Sequence, residues 1–469
     1  MSEPHGKTYR PWEPERYQHE AQSPAAKLPQ GDVVFFLLDT VRRMDLRRFY
    51  APYEQETRGA PPFDPAMMGC LLLYAYCVGV FSRRKIALAC ERNRAFLAIV
   101  GQERPDFRPS SDFRTLPLKA FTDVFVQVVR LAGERGLVRL GHVATDGTKI
   151  QGNASRHKAM SYGYMKKEVE RLREEIAALV TQAYQQDEAD EAALGSRRGD
   201  ALPAALTRRE DRVAKSEDAM RRWEAQAQAE AKAEQQRRAA VEAERRRTGT
   251  PRRGKAPHPV ADTPDDKAQM RCTDPELHIM RTNNKGWDSC GNAQASVDGA
   301  CQIIVACDVT AASHDTQQAE PMAQATLSTL AQAGLERPQA EAGDAQAIPA
   351  PLDSGYYSEA AVEALERRGF DPYIATERQR HHTLATEASA APATAKERMA
   401  AKVRTPEGRA VYARRTVIVE PVFGQSKAAR GFRRFLLRGL ANIRGEWRLV
   451  CLTHNLLKIW RYGCAPSTC

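Results

Sequence analysis

The chain has 469 residues, with 70 Lys and Arg against 59 Asp and Glu, a net charge of +11 and a pI near 9.2. That length allows about two to four domains, and the positive balance favours an anionic partner, nucleic acid before a membrane surface, over a merely basic soluble protein. The ten cysteines, at 70, 77, 90, 272, 290, 301, 307, 451, 464 and 469, include no Cys-x-x-Cys pair and no tight Cys/His cluster. This argues against a zinc ribbon and against a secreted disulfide framework. The opening "MSEPHGKTYRPWEPERYQHE" is polar and unlike a signal peptide. The most apolar run, "MMGCLLLYAYCVGVF" at 67–81, is too short for a membrane span and reads as a buried helix. The expectation is a soluble cytoplasmic protein with no membrane contact.

Residues 1–31 are polar, proline-dotted and loose. From 32 to 135 the pattern is helical and predicts an all-helical, DNA-binding domain. Asp64-Pro65 is a helix-start signal, Gly79 allows a turn, and Ser82 can cap a second helix, "RRKIALACE". Arg83, Arg84 and Lys85 in its first turn oppose the macrodipole, which reads either as plain surface charge or as a place for an anion. A further helix is predicted over about 111–133.

"GHVATDGTKIQGNAS", 141–155, reads as a short strand, His142 to Thr145, ended by Asp146. Asp-Gly is a common hairpin corner, and an acid at a strand end is also where an α/β scaffold places a metal ligand. Both readings stand at this point. Residues 163–247 are rich in Ala, Glu, Arg and Gln. Met165, Val169, Leu172, Ile176, Leu179 and Ala183 alternate at four and three, and Leu206, Val213 and Met220 recur at seven. These two seams, broken by "GSRRGDALP" at 195–203, predict an antiparallel helical hairpin that projects as an insertion. A basic, proline-rich linker follows at 248–268.

Strand signals return at 292–310, two β-runs around Asp298-Gly299 that predict a hairpin. Next come a helix over about 315–333, an apolar run ending in Asp353, a helix closed by Gly369, and a strand at 370–376. Residues 378–400 read as a loose loop. The stretch 404–462 is helical and basic, with about a dozen Lys and Arg against two Glu between Arg409 and Arg461. Trp287 and Trp447 read as core residues, with stacking on an unpaired base as the alternative.

The order strand-Asp146, hairpin, helix, strand-Asp353, helix-Glu420 matches an RNase H-like α/β sheet. Three carboxylates in one place repel one another, and divalent cations relieve that repulsion. At these residues the chain resembles bacterial insertion-sequence transposases of the DDE type. The stretches that carry the resemblance are "FDPAMMGCLLLYAYCVGVFSRRKIALACERN", "DGTKIQGNAS", "NAQASVD", "DSGYYSEA" and "VEPVFGQSKAARGFRRFLLRGL", followed by "EWRLVCLTHNLLKIW". The family's third-acid signature is Tyr, two residues, Arg, three residues, Glu, six residues, Lys. Here Tyr412, Arg415, Glu420 and Lys427 answer to it, with one residue too many between Arg415 and Glu420. Pro421 puts Glu420 at a helix start or a kink.

The resemblance implies an RNase H-like catalytic domain over 136–462, interrupted by the 163–247 hairpin. It implies that Asp146, Asp353 and Glu420 are catalytic and hold two Mg²⁺ ions, with Mn²⁺ as a substitute. It implies DNA contacts from Lys149, Tyr412, Arg415, Lys427, Arg430, Arg433, Arg434 and Arg438, with Asn153 and Asn292 orienting ligands. The implied partner is double-stranded DNA, the terminal inverted repeats and the target, held by a homodimer in the nucleoid. The implied activity is strand cleavage at transposon ends and strand transfer. Two departures, "CGNAQ" at 290–294 and "PSSDFRT" at 109–115, suit a catalytically decayed copy as the alternative. A non-enzymatic, basic coiled-coil DNA-binding protein is the other alternative, and it would leave the three acids apart in space.

Overall fold

Local signals set the helices of the first third. The computed structural model describes residues 11–13, 24–54, 61–101, 103–106, 118–153, 159–194, 204–248, 261–267, 269–271, 274, 276–282, 286–337, 346–376 and 394–463. Helices α1 (Val33–Arg43) and α2 (Arg47–Glu54) lead into α3 (Pro65–Cys77). The Asp64 carboxylate accepts from Ala66 N at 2.7 Å and Pro65 takes the first turn, so α3 starts where its sequence predicts. Every residue of α3 is buried, as a helix without a polar face requires. Gly79, at φ 78°, turns the chain where an added Cβ would lie 2.7 Å from Arg430 O. Ser82 precedes α4 (Arg83–Arg92), although its side chain makes no capping bond. Then come α5 (Arg94–Val100) and α6 (Leu118–Glu134). The part of the predicted helix at 111–117, and with it "PSSDFRT", lies outside the described residues. Strand β1 (Val143–Gln151) follows.

The chain divides into two compact units, one of Met1–Asn153 with Cys290–Cys469 and one of Ala154–Ser289. Within the second, β2 (Ala159–Ser161) leads into α7 (Tyr162–Leu194) and α8 (Ala204–Thr248). Strand β3 (Gln269–Arg271) pairs antiparallel with β2, and β4 (Ile279–Arg281) pairs with residues 287–289. Helices α7 and α8 run antiparallel, as Arg212–Glu168 at 3.0 Å, Arg209–Glu175 at 3.0 Å and Arg173–Glu217 at 2.6 Å require. Met165, Val169 and Leu172 are buried on α7, as their seam predicts. On α8 the burial shifts. Val213 and Met220 are half-buried, and small residues between them, Ser216 and Ala219, are buried instead. The side chains of Leu179, Ala183 and Leu206 and the break at 195–203 lie outside the described residues, as do residues 249–260 of the linker.

The first unit carries a mixed sheet. Strands β5 (Trp287–Asp298) and β6 (Ile304–Thr310) form the predicted hairpin, and β7 (Ile348–Leu352) and β8 (Phe370–Ile374) follow. The order is β6-β5-β1-β7-β8, with β5 antiparallel to both β6 and β1, and with β1, β7 and β8 parallel. Asp146 does not end its strand. Strand β1 continues through Asp-Gly to Gln151, and residues 143–151 face 298–290 of β5 in unbroken register. The acid that serves a turn is Asp298, fully buried, which accepts from Leu140 N at 2.7 Å and Ala300 N at 2.9 Å.

Helices α9 (Ala319–Ala333) and α10 (Glu359–Arg367) connect the later strands. Helices α11 (Ala395–Arg404) and α12 (Pro406–Ile418) come next, then a short α13 (Glu420–Gly424), a π-helical turn Gln425–Ala429, and α14 (Leu440–Gly463). The loose loop expected at 378–400 therefore ends early. Thr394 and Glu397 form a reciprocal capping box that starts α11, and residues 377–393 lie outside the described residues. Helix α14 packs on α6, β6 and α3. Its Asn455 side chain accepts from Ile304 N and donates to Ile304 O, both at 2.8 Å, which satisfies the outer edge of β6. Trp447 is buried as predicted and donates to Gln294 O at 2.9 Å, whereas Trp287 is 66% exposed and not a core residue. Among the described residues no helix is long and apolar enough to cross a membrane.

Candidate active site

Three elements bring acids to one place. Asp146 sits in the middle of β1, and Thr145 beside it faces Leu352 of β7. Asp353 is the next residue after β7, so a parallel neighbour delivers the second acid. Helix α12 ends at Ile418, and after Val419 the chain restarts as α13 with Glu420 at its first position and Pro421 behind it. Tyr412 and Arg415, three apart on α12, share a face that looks onto this place.

Arg415 is the centre of the cluster. Its Nη1 lies 2.9 Å from Asp146 Oδ2, and its Nη2 lies 3.9 Å from Asp353 Oδ1 and 3.8 Å from Glu420 Oε1. The arginine and Asp146 are each only 17% exposed, whereas Asp353 and Glu420 are about half exposed. Burial works against the Arg415 charge, but Asp146 first, then Asp353, Tyr412 and Glu420, hold its pKa above the usual value. Its Nε is buried without a hydrogen-bond partner. Asp146 goes the other way. Burial raises it to about 6, against the pull of Arg415 and the Gly147 N–H, and Asp353 and Asp315 push in the same direction as burial.

This donor set suits a hard cation. It offers carboxylate oxygens alone, and the most buried of them is short of positive charge. A guanidinium now meets that demand. Among the described residues no group of three His, Cys, Asp or Glu side chains is arranged to hold a metal ion.

The basic residues named from the sequence separate into two sets. Lys427, on the π-helical turn, donates to Thr148 Oγ1 at 2.6 Å and Lys149 O at 3.2 Å, and burial lowers its pKa. It therefore ties the Glu420 segment to β1, and because Lys427 lies on the π-helical turn that follows Glu420–Gly424, the two residues do not sit on one regular helix. Lys149 lies half-buried on β1. Arg430 faces inward, its guanidinium donating to Thr453 Oγ1, Ser426 Oγ and Val450 O. Arg433, Arg434 and Arg438 are exposed on the connection to α14. That connection is fastened to the end of β1: Arg434 donates to Gln151 Oε1, Phe435 N to Gln151 O, Asn153 to Leu436 O, and Arg438 to Asn153 O. Asn153 thus orients backbone.

One acid escaped the sequence reading. Asp315, on the connection from β6 to α9, accepts from Asn292 Nδ2 at 2.7 Å and Gln294 Nε2 at 2.8 Å. "SHDTQQ" carries no local signal for this. The hint available was Asn292 and Gln294, two amides on the same face of a buried strand.

Two family models match the chain, a transposase DDE domain over residues 374–460 and a transposase domain of the DUF772 type over residues 23–116. The first spans Tyr412, Arg415, Glu420 and Lys427, and Asp146 and Asp353 lie outside both. No curated protein and no solved structure matches the chain. The two matched segments support an insertion-sequence DDE transposase, and DDE transposases act on DNA and generally use a divalent metal.

Proposed function

We propose that this insertion-sequence DDE transposase cuts the phosphodiester at the ends of its element and joins the freed 3′-hydroxyl to target DNA, with Asp146, Asp353 and Glu420 as the catalytic carboxylates. The observation that carries the reading is their convergence on one guanidinium, at 2.9, 3.9 and 3.8 Å. A basic coiled-coil binding protein has no reason to gather them. The sheet order β6-β5-β1-β7-β8, with one antiparallel hairpin followed by three parallel strands, supports the RNase H-like reading of the fold.

Asp146, Asp353 and Glu420 would hold the divalent cations, two Mg²⁺ ions in this reading. Bound there, the ions supply an activated water or 3′-hydroxyl and neutralise charge on the leaving oxygen. The protein's own part is position and charge. Asp146 stands on β1 and Asp353 directly follows its neighbour β7, which fixes their spacing. The Pro421 restart turns Glu420 toward them. Lys427 pins the Glu420 segment to β1 through Thr148. Arg415, relieved of the carboxylates, has its charge to spend on a phosphate oxygen, as do the exposed Arg433, Arg434 and Arg438. Burial of Asp146 excludes water from the inner side of the site.

The test is nicking of the element's own terminal-repeat DNA with Mg²⁺ and with EDTA. Cation-dependent nicks at the element ends are expected. A protein that binds this DNA and never cuts it, with Mg²⁺ or with Mn²⁺, would overturn the reading in favour of a decayed copy.

A further inference from the structure

We propose that Asp315 is a positioning residue of this site. It orients the Asn292 and Gln294 amides so that they brace both the strand carrying Asp146 and the turn carrying Asp353. The inference rests on reading those two acids as catalytic.

Asn292 and Gln294 lie two apart on β5, so they face the same side, and both are buried. Asp315 Oδ1 accepts from both, at 2.7 and 2.8 Å. A carboxylate only accepts, so it draws the Gln294 nitrogen toward itself and leaves the Gln294 oxygen pointing away. That oxygen accepts from the hydroxyl of Tyr356, a fully buried side chain. Tyr356 N in turn donates to Asp353 O at 3.0 Å. Next to Asp315, Thr316 Oγ1 donates to Gly355 O at 3.1 Å. The turn 353–356 is thus gripped by both its side chain and its backbone.

The same amides press on β1. Gly147 faces Gln294 in the register, and an added Cβ would stand 2.3 Å from Gln294 Nε2, 2.8 Å from Asp315 Oδ1 and 2.9 Å from Asn292 Oδ1. The glycine beside Asp146 is therefore the space this network occupies. It explains why the residue after Asp146 carries no side chain. The direction of the chain, Asp315 to Gln294 to Tyr356, also separates two roles. Positioning needs two accepted hydrogen bonds, which an asparagine oxygen can still supply, whereas a direct charge on a bound cation needs the carboxylate.

The experiment compares Asp315→Asn, Asp315→Ala and Tyr356→Phe in the full chain. Two readouts are taken: hydrogen exchange of peptides covering 143–151 and 353–357, without DNA or metal, and single-turnover cleavage of terminal-repeat DNA. Asp315→Ala should speed exchange in both peptides about tenfold. It should slow cleavage by about a hundredfold with DNA affinity unchanged. Asp315→Asn should stay within about threefold of wild type in both. Tyr356→Phe should loosen 353–357 alone, and it decides the case if the alanine variant does not fold. Wild-type exchange in Asp315→Ala or in Tyr356→Phe overturns the proposal, as does an Asp315→Asn variant as damaged as the alanine. If wild type itself does not cut, the catalytic reading falls, while the exchange result still decides whether Asp315 braces the turn.

Discussion

Along the outer face of α8, arginines meet acids in water. Arg237 and Arg238 share Glu234, and Arg222 meets Asp218, at spacings of three and four along one helix. At Arg415 one arginine meets three acids, of which Asp146, the closest in space, is 269 residues away in sequence, and both Asp146 and the arginine are largely shielded from solvent. Solvent screens the first kind of pair and lets either partner be lost cheaply. Burial makes the second kind consequential, because whatever is left behind has no water to turn to. The same residue types therefore make an inert surface along α8 and a charge-hungry site at Arg415.

If that contrast is right, the site should break hard and the hairpin hardly at all. The largest effect is expected at Glu420. Glu420→Gln keeps the shape and removes a negative ligand, so single-turnover cleavage should drop about a thousandfold or more, with gel-shift affinity for terminal-repeat DNA intact. Next comes Arg415. In EDTA near pH 7, Arg415→Ala leaves the acids without their counter-ion, and denaturant unfolding should show a loss of roughly 3 kcal/mol. Mn²⁺ should bind this variant more tightly than wild type, measured by electron paramagnetic resonance, because the arginine no longer competes.

Asp146→Asn should act with the opposite sign. The folded-state pKa of Asp146, about 6, lies above its ordinary 3.8, so the folded protein takes up this proton more readily than the unfolded chain. The contribution is fully present below about pH 3.8 and is lost as the pH rises through about 6. In EDTA the asparagine variant should therefore match wild type near pH 4 and exceed it above pH 6 by up to roughly 3 kcal/mol. Urea unfolding across that window would show it, and a flat difference with pH would show that Asp146 is not buried at a cost.

Arg433→Ala with Arg434→Ala should weaken DNA binding by about tenfold and flatten the salt dependence by about two in slope, with cleavage retained at saturating DNA. The smallest effect belongs to the hairpin. Arg237→Ala removes a surface pair and should leave the melting temperature unchanged. A large loss there would collapse the distinction between the two regions.

Much of this was open to sequence reading, for physical reasons that differ by element. The hairpin announced itself because a helix repeats, although the buried face of α8 moved to the small residues Ser216 and Ala219. The acid order was legible because strands and helices alternate along the chain, and its meaning came from the family resemblance. The place of Asp146 was misread because Asp-Gly ends strands by local preference, whereas here the pair lies inside an unbroken ladder with β5, a partner far away in sequence. Asp315 was invisible because its partners lie 21 and 23 residues away, across a strand and a turn. Arg430 looked like part of a basic run. Charge patterning cannot tell an outward arginine from one that Thr453, Ser426 and Val450 hold inside. The start of α11 was available in Thr394 and Glu397, and alanine-rich polarity around it concealed the capping box.

The central claim is that the gathered acids do chemistry and that binding lies elsewhere. A paired titration of Asp353→Asn, gel-shift and nicking on the same terminal-repeat DNA at two salt concentrations, tests it most directly. The account predicts wild-type affinity and wild-type salt slope with cleavage lower by about a thousandfold or more. Full cleavage by this variant would take Asp353 out of the site and contradict the account.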